Sequence, residues 1–196
     1  MAEQQDEQLD GLTVAILVHD LFEQVELTGP RQALEAAGAK TVIVSPKPGP
    51  LRGMHHDQPG DTFEVDLPLN KANPEDFDAL LLPGGTMNAD SLRMVESAQR
   101  FAQAFEAARK PIGVICHGPW LLVSAGLVQG RTLTSWPSLQ DDIRNAGGNW
   151  VDREVVVDTN WVSSRKPDDL PAFNRELIGA LARAPELSAN PMPITE

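Results

Sequence analysis

One cysteine and the residues beside it carry the clearest chemical signal in this sequence. Cys116 follows an apolar, strand-like run at residues 111–115 and directly precedes His117. Because a helical pattern begins almost at once, we expect the thiol on a strand-to-helix turn, where a nucleophile is held accessible. The positive end of the helix dipole would favour the thiolate there. Free cysteine is also common as buried filler, so that alternative stays open.

A glycine pair follows another predicted strand. Gly84 and Gly85 come directly after the apolar run at residues 78–82 and Pro83. Glycine permits close backbone approach and positive φ, although such a pair is most often only a turn. If the two strand ends meet, the backbone N–H groups of Gly85 and His117 form a candidate oxyanion hole.

Three acidic residues are candidate partners of the cysteine and histidine. Glu23 and Glu26 lie at the start of a predicted helix. One of them is interpretable as an ordinary first-turn acid, and the other as a partly neutral carboxyl beside the thiol. Asp90 is the candidate acid for orienting His117, although its position equally allows a helix N-cap.

The remaining histidines do not indicate a metal site. His55, His56 and Asp57 are consecutive, and three potential ligands in a row rarely close a tetrahedral site alone, so we interpret them as a solvated loop. The sequence has no phosphate-binding loop, dinucleotide fingerprint or zinc-protease motif. We therefore expect neither a metal nor a cofactor.

The elements that must position these groups alternate between strands and helices. Strands are predicted at residues 12–18, 41–45, 63–67, 78–82, 111–115 and 132–135, with a pair near 151–157 and 161–163. Helices are predicted at residues 26–37, from Asp90 or Ser91 to about 109, and at 119–125, 139–146 and 170–183, whereas residues 46–62 are predicted to be a loop. This order predicts an α/β fold with a mostly parallel sheet, and such sheets bind ligands at the carboxyl ends of their strands.

Composition narrows the class of protein. The 196 residues suit one domain, and 16 basic against 28 acidic residues give a net charge of −12, which argues against binding to nucleic acid or to an anionic membrane surface. Six of the acids lie in residues 1–10 and 186–196, which hold no bases. We expect an acidic flexible tail at 1–10, one domain at 11–184 and a C-terminal tail at 185–196. The single cysteine excludes an intrachain disulfide, and no signal peptide or membrane span is evident, so we expect a cytoplasmic protein.

Five short motifs in order resemble a known family. They are FEQVEL at 22–27, LPGG at 82–85, VICHGP at 114–119, EVVVD at 154–158 and SSRKPDDL at 163–170. Over residues 11–183 the chain resembles the PfpI intracellular-protease family of the DJ-one superfamily, which is related to class I glutamine amidotransferase domains. The resemblance implies a flavodoxin-like three-layer sandwich with helices on both faces of the sheet.

The same resemblance assigns roles to the candidate residues. It implies Cys116 as the nucleophile, His117 as its partner and Glu26 as the acid against the sulfur. It also implies a third, acidic residue after the Gly–Gly turn, supplied across a subunit interface and matched here by Asp90. The protein is therefore expected to form a homodimer or a larger homo-oligomer.

Three departures bear on the pocket, which we expect to include Glu23 and Gly84. Gln24 stands where the family commonly has an acid, Trp120 where it has glutamine, and Trp136 where it often has tyrosine. The two tryptophans argue against a long peptide substrate. We therefore expect a stress-protection enzyme acting on small carbonyl compounds, like a glyoxalase or deglycase, with peptide bonds or damaged proteins as other substrates. A redox sensor whose cysteine is oxidised and a holding chaperone are the alternatives.

Overall fold

The chain alternates between short strands and helices in a computed structural model that describes residues 8–189, with side chains described up to residue 184. The strands are β1 (Thr13–Leu17), β2 (Phe22–Glu23), β3 (Lys40–Ser45), β4 (Leu51–His55), β5 (Gln58–Phe63), β6 (Leu67–Pro68), β7 (Ala79–Leu82), β8 (Ile112–Ile115), β9 (Thr132–Leu133), β10 (Asn149–Trp150), β11 (Val155–Asp158) and β12 (Trp161–Ser164). The helices are α1 (Gln24–Ala36), α2 (Thr86–Arg93), α3 (Glu96–Ala107), α4 (Pro119–Ser124), α5 (Gln140–Asn145) and α6 (Leu170–Ala189).

One sheet organises the described part of the chain. Its strand order is β11-β12-β8-β7-β1-β3-β6, and each neighbouring pair is parallel except β11 with β12. Strands β7, β8 and β12 are buried along their whole length, as expected for central strands of a parallel sheet that is covered on both faces. The predicted mostly parallel sheet is confirmed.

Helices cover both faces of this sheet. Successive strand residues point to opposite faces, so the buried side chains divide into two cores. One core contains Leu27 of α1 and Phe173 of α6, and the other contains Phe105 of α3 and Leu121 of α4. The result is the three-layer sandwich that the sequence predicted.

A small three-stranded sheet, β2-β4-β5, lies where a loop was predicted. The prediction of a loop at residues 46–62 is wrong, and the strand predicted at 63–67 is divided between the end of β5 and the start of β6. Gly53, Pro59 and Gly60 interrupt the hydrophobic alternation that normally identifies strands. The hairpin closes through His56 and Asp57, with His56 at φ +57°, rather than through the usual Asn–Gly signal.

The long helix predicted from Asp90 to residue 109 is two helices, and Asp90 caps neither of them. Helix α2 begins at Thr86 because Gly85, at φ +89°, turns the chain directly out of the strand region into the helix. Asp90 therefore lies inside α2 and is exposed. Met94 and the extended residue Val95 separate α2 from α3.

The chain ends pack more extensively than the pattern suggested. Leu9 is fully buried and its N–H donates to the carbonyl of Ala37 at 2.8 Å, although it falls in the segment predicted as a tail. Helix α6 continues to Ala189, beyond the predicted end at residue 183. Residues 1–7 and 190–196 of the predicted tails lie outside the described residues. Within residues 8–189, none of the helices is both long and apolar enough to cross a bilayer.

Candidate active site

Cys116 lies on a sharp turn between β8 and α4. Its φ of +61° is in the left-handed region, which non-glycine residues rarely adopt and which is frequent at functional sites. The turn is fixed at both ends, because the Cys116 N–H donates to the Ser164 carbonyl at 3.1 Å and its carbonyl accepts from the Trp136 N–H at 2.9 Å. The side chain, only 7% exposed, is thereby held at the carboxyl edge of the sheet.

The segments that follow β1, β7 and β8 meet there around one pocket. The pocket has a volume of about 460 Å³. Of the residues predicted for the site, Cys116, His117, Glu23, Glu26, Gly85 and Trp136 line it. The structure thus brings together groups that are up to 113 positions apart in the sequence, counting from Glu23 to Trp136.

Cys116 and His117 form a direct pair. The Cys116 sulfur lies 3.2 Å from Nδ1 of His117. Burial lowers the pKa of His117 to about 4, so the imidazole is neutral at neutral pH and Nδ1 can accept the thiol proton. Two tryptophan rings fix the imidazole plane: Trp136 stacks on it with centroids 5.9 Å apart, and Trp120 meets it edge-on at 5.4 Å.

Glu26 is a fully buried carboxyl in contact with the Cys116 thiol. Its Oε2 accepts a hydrogen bond from the Gly84 N–H at 2.9 Å. Burial, and to a lesser extent the charge of Glu23, raises the pKa of Glu26 to about 8, so the carboxyl is protonated at neutral pH. Apart from the contact of the carboxyl with the Cys116 thiol, Oε1 has no hydrogen-bond partner among the described residues. The protonated carboxyl is therefore placed to donate towards the sulfur.

The thiol is not activated in the way that the sequence suggested. Burial raises the pKa of the Cys116 thiol, and a charged Glu26 would raise it further, whereas the backbone N–H groups of Gly85 and His117 act in the opposite direction. Helix α4 has only six residues, so its dipole is too small to outweigh desolvation. Formation of the thiolate therefore requires a base, and His117 is in position to act as one.

The glycine pair is required by space as well as by conformation. A Cβ on Gly84 would lie 2.6 Å from Cβ of Cys116 and would overlap Oε2 of Glu26. Gly85 has φ +89°, and a Cβ there would lie 2.6 Å from the Glu23 nitrogen. Buried Asn88 holds this turn by donating from Nδ2 to the carbonyls of Pro83 and Gly84 at 3.0 and 2.9 Å.

Three predicted residues do not line the pocket: Gly84, which lies in the turn behind it, Trp120 and Asp90. Trp120 borders His117 but does not line the pocket, and its indole N–H donates to Oδ2 of Asp142 at 2.8 Å. Asp90 makes no hydrogen bond with His117 among the bonds of residues 8–189. The atom facing Nε2 of His117 is instead Oγ1 of Thr86, at 3.4 Å.

Thr86, which lines the pocket, and Asn88, which holds its glycine turn, are two functional residues that the sequence did not indicate. Both lie in the first turn of α2, one and three residues after Gly85. Starting that helix directly at the glycine pair would have placed them at the strand end with the other candidates. The misplaced helix start therefore accounts for both omissions.

The segment His55–Asp57 lies at the tip of the β4–β5 hairpin and is exposed. His56 and Asp57 line the pocket, and the His56 N–H donates to Oε2 of Glu23 at 3.0 Å. No group of three or more histidine, cysteine or carboxylate side chains suited to a metal occurs in the described part of the chain.

Comparisons with known proteins agree with this architecture. Residues 12–180 match the DJ-1/PfpI family. A deglycase of Pyrococcus abyssi is 46% identical over 170 residues, which are 87% of this chain and 99% of that protein. Deglycase PfpI of Pyrococcus furiosus is 43% identical over the same shares of the two chains.

Solved structures give the same result. A two-domain protein of Anabaena variabilis, with DJ-1/ThiJ/PfpI-like and ferritin-like domains, superposes with a TM-score of 0.82 at 30% identity, over 87% of this chain and 48% of that one. The present chain thus spans about half of that protein. Drosophila melanogaster DJ-1beta superposes with a TM-score of 0.80 at 22% identity, over 91% of this chain and 96% of that one. The chain belongs to the DJ-1/PfpI family.

Proposed function

We propose that this protein is a cysteine-dependent enzyme that acts on small carbonyl compounds, as a glyoxalase or deglycase, in a stress-protection role. The observation that carries the proposal is the 3.2 Å contact between the Cys116 sulfur and Nδ1 of His117 at the base of a pocket. A thiol in contact with a neutral imidazole is the arrangement that nucleophilic catalysis by cysteine needs.

The geometry supports addition of the sulfur to a carbonyl carbon. Nδ1 of His117 takes the thiol proton while the sulfur bonds to the carbon, and the carbonyl π electrons move to the oxygen. The backbone N–H groups of Gly85 and His117, which act on the sulfur in the free protein by lowering its pKa, are the candidate donors to that oxygen. The proton held by His117 then neutralises the alkoxide, which gives a hemithioacetal.

The dimensions of the pocket favour small substrates. A volume of about 460 Å³ admits an aldehyde or the carbonyl adduct of one amino acid. Trp136, which is 39% exposed, forms part of the rim beside His117 and reduces the room for a peptide on both sides of a scissile bond. The deglycase names of the relatives that are 43–46% identical support the same substrate class.

We also propose that the protein forms a homodimer or larger homo-oligomer and acts in the cytoplasm. Thr86 and Met87 line the pocket, and Asp90 follows on the same helix, with all three exposed. A second subunit seated on this part of α2 would cover Met87, which is 58% exposed, and would bring another copy of Asp90 towards the site. In that arrangement Asp90 supplies the third, acidic residue.

A redox role is the second candidate, because a protonated Glu26 beside the sulfur is suited to hydrogen-bond an oxidised cysteine. Mass spectrometry after mild peroxide treatment tests it. Selective conversion of Cys116 to the sulfinic acid supports this role, and a thiol that stays reduced while glutathione is consumed excludes it.

The enzymatic proposal is tested with a panel of three substrates: methylglyoxal, the methylglyoxal adduct of N-acetylarginine, and a chromogenic peptide. We expect turnover of the first two at rates well above that of the peptide. Turnover of the peptide alone would replace the carbonyl proposal with a peptidase. Suppression of client aggregation that survives Cys116→Ala, without turnover of any substrate, would indicate a holding chaperone.

A further inference from the structure

The β4–β5 hairpin forms one wall of the Cys116 pocket. Met54, His56 and Asp57, at or near its tip, line the cavity. Regular strand pairing joins the hairpin to the strand-end region at only two register positions, where β4 runs parallel to β2, and the Leu21 N–H adds a 2.9 Å hydrogen bond to the Arg52 carbonyl. Such a short pairing leaves the position of the wall dependent on other contacts.

The side chain of Gln24 makes two of those contacts. Its Nε2 donates to Oδ2 of Asp61 on β5 at 2.6 Å, and its Oε1 accepts from the backbone N–H of Asp61 at 2.7 Å. Both ends of the amide are thus satisfied by a single residue of the hairpin. Only an amide fits this pairing, because an acid at position 24 would set two carboxylates against each other.

The hairpin is shaped to receive this amide. Gly53 and Gly60 face Gln24 from the two strands, and a Cβ on Gly53 would lie 2.8 Å from Oε1 of Gln24. A Cβ on Gly60 would overlap the same oxygen. The amide therefore fills a slot that both strands leave open, and Gln24 is only 9% exposed there.

This contact is continuous with the pocket. Glu23, the neighbour of Gln24, accepts a hydrogen bond from the His56 N–H at the hairpin tip. We propose that Gln24 is a positioning residue that holds the hairpin against the Cys116 pocket and thereby determines how tightly substrate binds. It has no part in the proton transfer between Cys116 and His117.

The test exchanges the hydrogen-bond donor and acceptor between the side chains at positions 24 and 61. Gln24→Glu keeps the size of the side chain but repels Asp61, whereas the double variant Gln24→Glu with Asp61→Asn restores a donor opposite an acceptor. Gln58→Glu is the matched control, because it adds the same charge to an exposed position of the same hairpin. Asp61→Ala is a second probe at an exposed position, should Gln24→Glu fail to fold.

The kinetic readout rests on the proposed function and uses methylglyoxal. We expect Gln24→Glu to raise KM about tenfold with kcat within about twofold of wild type, the size expected for one lost charge-assisted contact. Asp61→Ala should act in the same direction. The double variant should return KM to within about threefold of wild type, and Gln58→Glu should leave it unchanged.

A second readout does not depend on turnover. Cys116 is the single cysteine of the chain, so its rate of alkylation by iodoacetamide reports access to the pocket. We expect faster alkylation in Gln24→Glu and recovery in the double variant, even if no carbonyl substrate is turned over. Wild-type KM and alkylation in Gln24→Glu, a fall in kcat alone, or a double variant as impaired as the single one would each overturn the assignment.

Discussion

Nδ1 of His117 lies 3.2 Å from the sulfur of Cys116, the residue directly before it in the chain. Consecutive side chains on an extended strand point to opposite sides, so this contact depends on the turn that Cys116 makes at φ +61°. Thiol and base are therefore supplied by one short turn. The rest of the fold has to provide the buried acid, the N–H donors and the pocket walls.

The pH dependence of kcat/KM should reflect His117 and Glu26. Below about 4, protonation of His117 removes the base, so activity should fall as the pH decreases through that value. Above about 8, Glu26 loses its proton, and a negative charge beside the sulfur opposes the thiolate and the oxyanion, so activity should fall again. Glu26→Gln, which mimics the protonated carboxyl, should remove the alkaline fall and keep the acidic one. An alkaline fall that persists in Glu26→Gln would contradict this role.

Gly84→Ala should damage both stability and activity. Its Cβ would overlap Glu26 and Cys116 in a turn that cannot move freely, and we expect a loss of about 1–3 kcal/mol in the free energy of unfolding. Gly179→Ala is the matched control, because its Cβ meets only the flexible end of Arg183, and we expect a change of less than about 1 kcal/mol. Urea denaturation followed by tryptophan fluorescence measures the free energy of unfolding of the two variants, and methylglyoxal turnover measures their activity. Equal stability of the two variants would show that the turn has room.

Thr86 should orient the imidazole through its hydroxyl. Thr86→Val keeps the shape but leaves Nε2 of His117 without this partner, and we expect kcat/KM to fall about tenfold. Thr86→Ser keeps the hydroxyl and should retain most of the activity. Steady-state kinetics with methylglyoxal measures the effect. Equal activity in the valine and serine variants would show that the Thr86 hydroxyl does not orient His117.

Variants of Asp90 test whether one subunit contributes this carboxylate to the Cys116 pocket of another. We expect Asp90→Asn and Cys116→Ala to be impaired when assayed separately. Mixing them after partial unfolding and refolding should recover activity, because mixed oligomers would pair an intact Cys116 in one subunit with an intact Asp90 in another. Absence of recovery, with mixed oligomers present by native mass spectrometry, would argue against a contribution across the interface.

Local patterns were sufficient to predict the sheet and the turn at Cys116. Buried strands such as β7 and β8 appear as continuous apolar runs, and the convergence of strand ends in a parallel sheet follows from topology. The β4–β5 hairpin was not predictable in this way, since Gly53 and Gly60 are present to accommodate Gln24, a residue distant in sequence.

The electrostatics of the site also depended on the three-dimensional structure. The sequence placed Cys116 at a helix start, which suggested a stabilised thiolate. Burial at the base of the pocket acts in the opposite direction and makes His117 necessary as a base. Thr86 was missed because the start of α2 was placed at Asp90, and only the positive φ of Gly85 shows that the helix begins earlier.

Nucleophilic attack by Cys116 is tested by the rate of methylglyoxal consumption by wild-type protein and by Cys116→Ala, with folding of both verified by circular dichroism. We expect removal of the sulfur to lower kcat/KM by at least about a thousandfold, because Cys116 is the single cysteine of the chain and the hydroxyl of Thr86, which also contacts His117, is a far weaker nucleophile than a thiolate. Equal rates in the two proteins would contradict it.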